Sequence, residues 1–236
     1  MEVYYASPER ISAENAVLPV PETRHLTRVV RLQAGDRLLI ADGLGTMYIA
    51  RLRIVVEGEA HCALEEKIVG MNEPKRPQVL VQALLKNPGR MDWIVEKAVE
   101  LGVTSIFPVT TERTIAGKAR ATRWRELACA AMKQSRRCLI PRIEPLRSFG
   151  EALRALRDHT MLLFHESAET EIRAVLPAGD GMPFPGPVAC LVGPEGGFTA
   201  GEVEAAVAAG AHVLSLGPRR LRSETAAVAA LSYVCV

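Results

Sequence analysis

No apolar run in this chain approaches the roughly 18 residues that a membrane span needs. The N-terminal Met1-Glu2-Val3-Tyr4-Tyr5 lacks the basic-then-apolar pattern of a secretory leader, so a cytoplasmic protein is expected. Cysteine offers no framework either. Cys62, Cys129, Cys138, Cys190 and Cys235 are scattered, odd in number and without a C-x-x-C. Their mostly apolar neighbours predict buried thiols in a reducing compartment. The five histidines show no H-x-x-x-H or other ligand spacing, and no metal site is expected. Neither G-x-G-x-x-G nor G-x-x-x-x-G-K-[ST] occurs, and Gly117-Lys118 lacks both the upstream glycine and the following hydroxyl. A dinucleotide binder or nucleotide hydrolase therefore has no motif support. There is no internal repeat.

What is present is a well-filled globular chain of 236 residues, 48% hydrophobic with mean hydropathy +0.10. Its net charge of +2 hides a segregation. Residues 1–73 carry 8 Lys and Arg against 11 Asp and Glu, residues 86–147 carry 13 against 6, and the last 89 carry 6 against 10. A basic middle between acidic flanks suits contact with a phosphate backbone, and equally suits a solvated helix face.

Residues 1–73 read as mostly strand: 2–5, 37–41, 46–52 after the turn Asp42-Gly43-Leu44-Gly45, and 60–68. One short amphipathic helix is predicted over 22–32, with Leu26, Val29 and Val30 on its apolar side. Several short strands and one helix suggest a small barrel. Residues 74–77, Pro74-Lys75-Arg76-Pro77, are the linker, two prolines bracketing two charges. From 78 to 236 strands and helices alternate, which implies a mainly parallel sheet with helices on its faces. Strands are predicted over 78–85, 105–109, 161–164, 188–192 and 211–216. Helices are predicted over 90–101, 124–137, around Leu153 and from 225 to the end, with Lys133, Arg136 and Arg137 outward on the second. Residues 177–187, rich in Gly and Pro, read as a surface loop.

Two glycine-containing turns end the last two strands. Val192-Gly193-Pro194-Glu195-Gly196-Gly197-Phe198 precedes a capping box of Thr199 and Glu202. Leu216-Gly217-Pro218-Arg219-Arg220-Leu221-Arg222 precedes Ser223, a possible cap of the terminal helix. Paired strand ends opening into loops are where α/β sheets bind ligands.

These turns, with His25-Leu26-Thr27-Arg28-Val29-Val30-Arg31-Leu32, Glu96-Lys97-Ala98-Val99-Glu100-Leu101-Gly102-Val103, Thr111-Glu112-Arg113 and Gln134-Ser135-Arg136-Arg137, closely resemble the RsmE family of bacterial 16S rRNA uracil-N3 methyltransferases, within the SPOUT superfamily. The match spans essentially the whole chain and departs from the family pattern at Arg220, usually Ile or Val, and at Ser223, usually Thr. Whether a short tail follows Val236 is left open.

The resemblance implies a PUA-like RNA-gripping barrel over 1–73 and a SPOUT α/β domain with a deep trefoil knot over 78–236. It implies S-adenosylmethionine as cofactor, a homodimer, and 16S rRNA or the small ribosomal subunit as partner. The implied reaction is methylation of N3 of uracil 1498. The alternatives are an RNA-binding or ribosome-assembly factor of the same fold, or a SPOUT methyltransferase with another RNA target.

Methyl transfer from a sulfonium needs alignment and a nucleophilic nitrogen, and uracil N3 carries a proton that must leave. A cation beside O2 or O4 favours the uracilate anion. Arg222 is the expected cation, its structural alternative being an ion pair with Glu224 or another carboxylate. Glu195 is a second catalytic candidate, or a residue that shapes the turn. Cofactor contacts are expected from Leu163, Phe164, Gly193, Pro194, Glu195, Gly197, Leu216, Gly217, Leu221, Arg222 and Thr225, largely through backbone. RNA contacts are expected from Arg28, Arg31, Arg90, Lys97, Arg113, Lys133, Arg136 and Arg137.

Overall fold

In a computed structural model the chain is described over residues 1–115, 117–175, 184 and 186–235. The loop expected over 177–187 lies largely outside the described residues. Two compact units emerge, neither contiguous: Met1–Glu73 with Ala128–Ile140, and Pro74–Leu127 with Pro141–Val236.

The first unit is built on a five-stranded sheet in the order β1-β3-β4-β5-β2. Its strands are β1 (Val3–Tyr5), β2 (Asn15–Leu18), β3 (Arg37–Ala41), β4 (Thr46–Val56) and β5 (Glu59–Val69). Irregular register in the β4–β5 ladder, at Ile49/Ala50 and Leu52/Ile54, lets these long strands curl. The core they enclose includes Tyr4, Leu18, Leu26, Leu38, Ile40 and Leu52. Helix α1 (Val20–His25) starts two residues earlier than expected, with Pro21 in its first turn. Buried Thr23 fixes it by donating to Leu18 O at 3.2 Å and accepting from Ala60 N at 2.8 Å. A wider π-type turn, Leu26–Val30, follows and ends at Arg31 in the left-handed region, φ 63°. The extra residue per turn rotates Val29 off the apolar stripe. It is 66% exposed, where the sequence pattern places it on the apolar side of the helix.

The second unit holds a seven-stranded sheet in the order β12-β10-β11-β6-β7-β8, with β9 also paired to β7, every pairing parallel. These strands are β6 (Gln78–Ala83), β7 (Ser105–Thr110), β8 (Arg142–Ile143), β9 (Arg147–Ser148), β10 (Thr160–Phe164), β11 (Val188–Val192) and β12 (His212–Leu214). β6 and β11 are buried at every position, as strands covered on both faces must be. The helices of this unit are α2 (Pro88–Glu100), the first half of α3 (Ala121–Gln134), whose residues from Ala128 on belong to the first unit, α4 (Phe149–Ala155), α5 (Ile172–Val175), α6 (Ala200–Ala208) and α7 (Ser223–Cys235). Asn87 caps α2 by accepting from Gly89 N at 2.8 Å, and full capping boxes start α4 and α6. α7 packs on α2, β11 and β6, burying Ala227, Ala230, Leu231 and Val234.

Two expectations change here. Arg76, read as a linker charge, is 9% exposed, and its guanidinium donates to the carbonyls of Phe184 and Val234. α3 stops at Gln134 rather than 137, because the chain reverses through Arg136 at φ 58°. Arg137 then turns inward rather than outward.

Candidate functional site

The C-terminal ends of β12, β10 and β11 lie side by side, so the segments leaving them converge. The loops after Phe164, after Val192 and after Leu214 wall a cavity of about 840 Å³. That volume suits a cofactor-sized ligand. Phe164, Gly193, Pro194, Glu195, Gly197, Leu216, Gly217, Leu221 and Arg222 all line it, so most of the expected cofactor residues meet in one place. Leu163 does not: it is fully buried in the sheet core, because neighbours on a strand face opposite ways. Thr225 does not either: it lines a separate groove with Asn87, Arg90 and Trp93.

The first turn is clamped from outside. Arg113 Nη1 donates to Gly196 O at 2.7 Å and to Phe198 O at 3.4 Å. A Cβ on Gly196 would sit 3.3 Å from Arg113 Cδ and 3.4 Å from its Cβ, so glycine is what lets the arginine stem lie flat on the turn. At Gly193 a Cβ would come within 3.2 Å of the Gly197 and Phe198 backbone, so the turn closes tightly on itself. Glu195 Oε1 accepts from Lys86 N at 3.1 Å, tying the turn to the start of α2. Glu202 of the capping box also accepts from Glu112 N at 2.9 Å, anchoring the segment that carries Arg113.

The second turn is held differently. Ser215 Oγ accepts from Gly217 N at 3.1 Å. Ser223 is the first residue of α7 rather than its cap. Its hydroxyl donates to Gly193 O at 2.5 Å and accepts from Gln82 Nε2 at 3.1 Å. Arg220 pairs with Glu166 at 3.1 Å, across side chains that are 76% and 61% exposed, an ion pair worth little in water. Among the described residues the guanidinium groups of Arg222 and Arg219 make no hydrogen bond or ion pair. The expected structural partner of Arg222, Glu224, is taken by Arg90 at 3.4 Å. The cavity wall therefore carries two uncommitted cations.

His165 also lines the cavity, with Nδ1 accepting from Ser167 N at 3.3 Å and lying 2.8 Å from Ser167 Oγ. Gln82, His165 and Ser167 were not foreseen as site residues. Gln82 had a legible signal, an amide flanked on both sides by apolar residues of its strand, Val79-Leu80-Val81 before it and Ala83 after it.

The expected RNA-contacting set divides. Arg28, Arg31 and Arg136 are exposed and without an ion pair among the described residues. Lys97 sits between Glu96 and Glu100 at 2.8 and 2.7 Å, and Lys133 is half-buried against Glu22. Arg90 and Arg113 are engaged as described. Arg137 is 2% exposed and reaches Glu73 through Nε at 3.1 Å and Nη2 at 2.5 Å, so it is a buried structural cation. Lys133, Arg136 and Arg137 belong to the first unit, although their sequence position suggested the second. Among the described residues no group of His, Cys, Asp or Glu is placed to hold a metal, and no helix is long and apolar enough to cross a membrane.

A family profile of RNA methyltransferase domains matches residues 72–235, and one of RNA methyltransferase PUA domains matches residues 18–65. The chain is 31% identical over 233 residues to ribosomal RNA small subunit methyltransferase E of Synechocystis sp., spanning 97% of this chain and 75% of that one. The crystal structure of ribosomal RNA small subunit methyltransferase E from Neisseria gonorrhoeae bound to S-adenosyl methionine superposes with TM-score 0.83 at 33% identity, over 98% of this chain and 95% of that one. A Legionella pneumophila protein in complex with the cofactor SAM superposes with TM-score 0.83 at 27% identity, over 99% and 96%.

Proposed function

We propose that this chain, which belongs to the ribosomal RNA small subunit methyltransferase E family of RNA methyltransferases, methylates N3 of uracil 1498 in 16S rRNA from S-adenosylmethionine. The observation that carries this is the cavity at three adjacent strand ends, walled by both glycine turns and holding Arg222 with no protein partner among the described residues.

The cavity fits the cofactor in its unused backbone groups. Among the described residues the N–H and C=O of Leu216 and Leu221 make no hydrogen bond, although both residues are half-buried on the wall. Half-buried backbone groups without partners are suited to the edge of an adenine. Leu216, Leu221 and Gly193 would hold it, with Phe164 beside the ring. Bound there, S-adenosylmethionine supplies an electrophilic methyl group and a neutral leaving group. Arg222 stabilises negative charge on the uracil oxygens as N3 loses its proton. Glu195 orients the turn through Lys86 N. Arg28, Arg31 and Arg136 contact the RNA backbone, and the target uridine is turned out of its stack to reach the cavity.

We also propose a homodimer and a threaded C-terminal segment. The threading is supported by the path of the chain. β12 lies outside β10 at the sheet edge, yet α7, which follows it, packs on β11 and β6.

The test is nucleoside mass spectrometry after incubating the protein with labelled S-adenosylmethionine and unmodified small subunits. Label in 3-methyluridine is the expected result. Label in another nucleoside overturns the target, and neither label nor cofactor binding overturns the activity.

A further inference from the structure

Gln82 is fully buried near the end of β6, where its backbone faces Val192 of β11. Its Nε2 donates to Ala83 O at 2.9 Å and to Ser223 Oγ at 3.1 Å, while Oε1 is buried with no partner among the described residues. The amide orientation is determined by chemistry. Ala83 O can only accept, so the group facing it must be the NH₂. The Ser223 hydroxyl has one proton, and Gly193 O, also acceptor-only, takes it at 2.5 Å. The chain of bonds therefore runs one way: Gln82 Nε2–H to Ser223 Oγ–H to Gly193 O.

This chain of bonds ties two segments that wall the proposed cofactor cavity, at Gly193 and Ser223, to the adjacent strand β6. Gly193 opens the first turn, Ser223 closes the second immediately after Arg222, and Gln82 holds both from the sheet. Gln82 Oε1 carries the cost of a buried acceptor with no partner among the described residues.

Resting on the methyltransferase activity proposed above, we propose that Gln82 and Ser223 are positioning residues, a directed relay that sets the spacing of the two turns and the take-off of Arg222. Neither touches the reacting atoms. The relay uses only the hydroxyl of Ser223, a group that threonine also carries.

The test compares Ser223→Ala, Ser223→Thr, Gln82→Met and the double variant Gln82→Met/Ser223→Ala. In the cofactor-free protein, amide exchange read by mass spectrometry should speed up about tenfold in both turns for Ser223→Ala and return towards wild type for Ser223→Thr. Single-turnover methylation of small subunits should fall about thirtyfold in Ser223→Ala, with S-adenosylmethionine affinity falling less than about tenfold. The double variant should lose no more than about twofold beyond the worse single variant, because both act through one chain. Gln82→Met conserves volume and tests the relay even if Ser223→Ala fails to fold. Unchanged exchange in the turns, or losses that multiply in the double variant, overturns the relay. Wild-type protein that binds no S-adenosylmethionine overturns the proposed activity instead, and the exchange comparison, which needs no cofactor, still decides the relay.

Discussion

Arginine serves three distinct purposes in this chain, and each separates by experiment. Arg137 is buried opposite Glu73, whose Oε1 also accepts from Cys138 N at 2.8 Å and Leu139 N at 2.9 Å. Arg137→Met leaves that carboxylate buried with its charge uncompensated. Urea unfolding should show a loss of about 3–5 kcal/mol, the range for removing one member of a buried pair. A loss within that of an ordinary surface substitution would remove the structural role. Arg113 holds carbonyls, so Arg113→Ala should weaken S-adenosylmethionine binding about tenfold and leave RNA affinity at fixed salt unchanged. Among the described residues the Arg222 guanidinium has no partner, so Arg222→Ala should cut single-turnover rate far more than cofactor affinity. Equal losses in both would sink its catalytic role. The sequence showed which residues carry charge and placed Arg222 beside a glycine turn. It could not show that Arg137 is spent on Glu73, because the partner lies 64 positions away. Thiols give a pH counterpart. Burial raises Cys62, Cys129 and Cys138 from 9.0 to about 11. The unfolded chain loses these protons first as pH rises, so their contribution to stability is complete below pH 9 and lost between about 9 and 11. Thermal unfolding across that window should show it, and Cys62→Ala should flatten part of the slope.

Elements were legible where a local rule governs them. The capping box of Thr199 and Glu202, the buried run of β11 and the span of β3 follow from neighbouring residues alone. They failed where a few residues leave the regular period. The π-type turn at Leu26–Val30 moves Val29 to the surface, and the reversal at Arg136 shortens α3. Both serve backbone geometry that no side-chain pattern records. Within α6 the capping box carries a load beyond its own helix, since Glu202 also accepts from Glu112 N. Thr199→Ala should therefore cost about 1 kcal/mol, as a lost cap does. Glu202→Ala strands donors on two segments and should cost about twice that by urea unfolding. It should also weaken cofactor binding, through the segment that carries Arg113. Equal costs for the two variants, with cofactor affinity untouched in both, would confine the box to helix α6.

At the scale of the whole molecule, the order along the chain and the order in space part company. The acidic balance of residues 1–73 is cancelled by Lys133, Arg136 and Arg137, because Ala128–Ile140 belongs to the first unit. The apparent basic middle is thus divided between two units, a fact hidden from any reading of local composition. Cutting the chain at residue 74 consequently does something other than remove a domain. The fragment 74–236 keeps every residue that lines the cavity, so it should still bind S-adenosylmethionine. It also keeps 128–140 stripped of its unit. Arg137 loses Glu73, and buried Ala128, Ala131, Met132 and Cys138 lose the surface they pack on. Amide exchange in the fragment should be fast from about residue 128 to 140 and protected on either side. RNA affinity should drop and its dependence on salt should flatten, because Arg28 and Arg31 are gone and Arg136 is left on an unfolded segment. Adding charge-reversing changes at Arg28 and Arg31 to the full chain should reproduce the weaker, flatter binding without the exchange defect. Undiminished RNA affinity in the fragment would take the first unit out of recognition altogether and move the RNA contacts to the cations around the cavity.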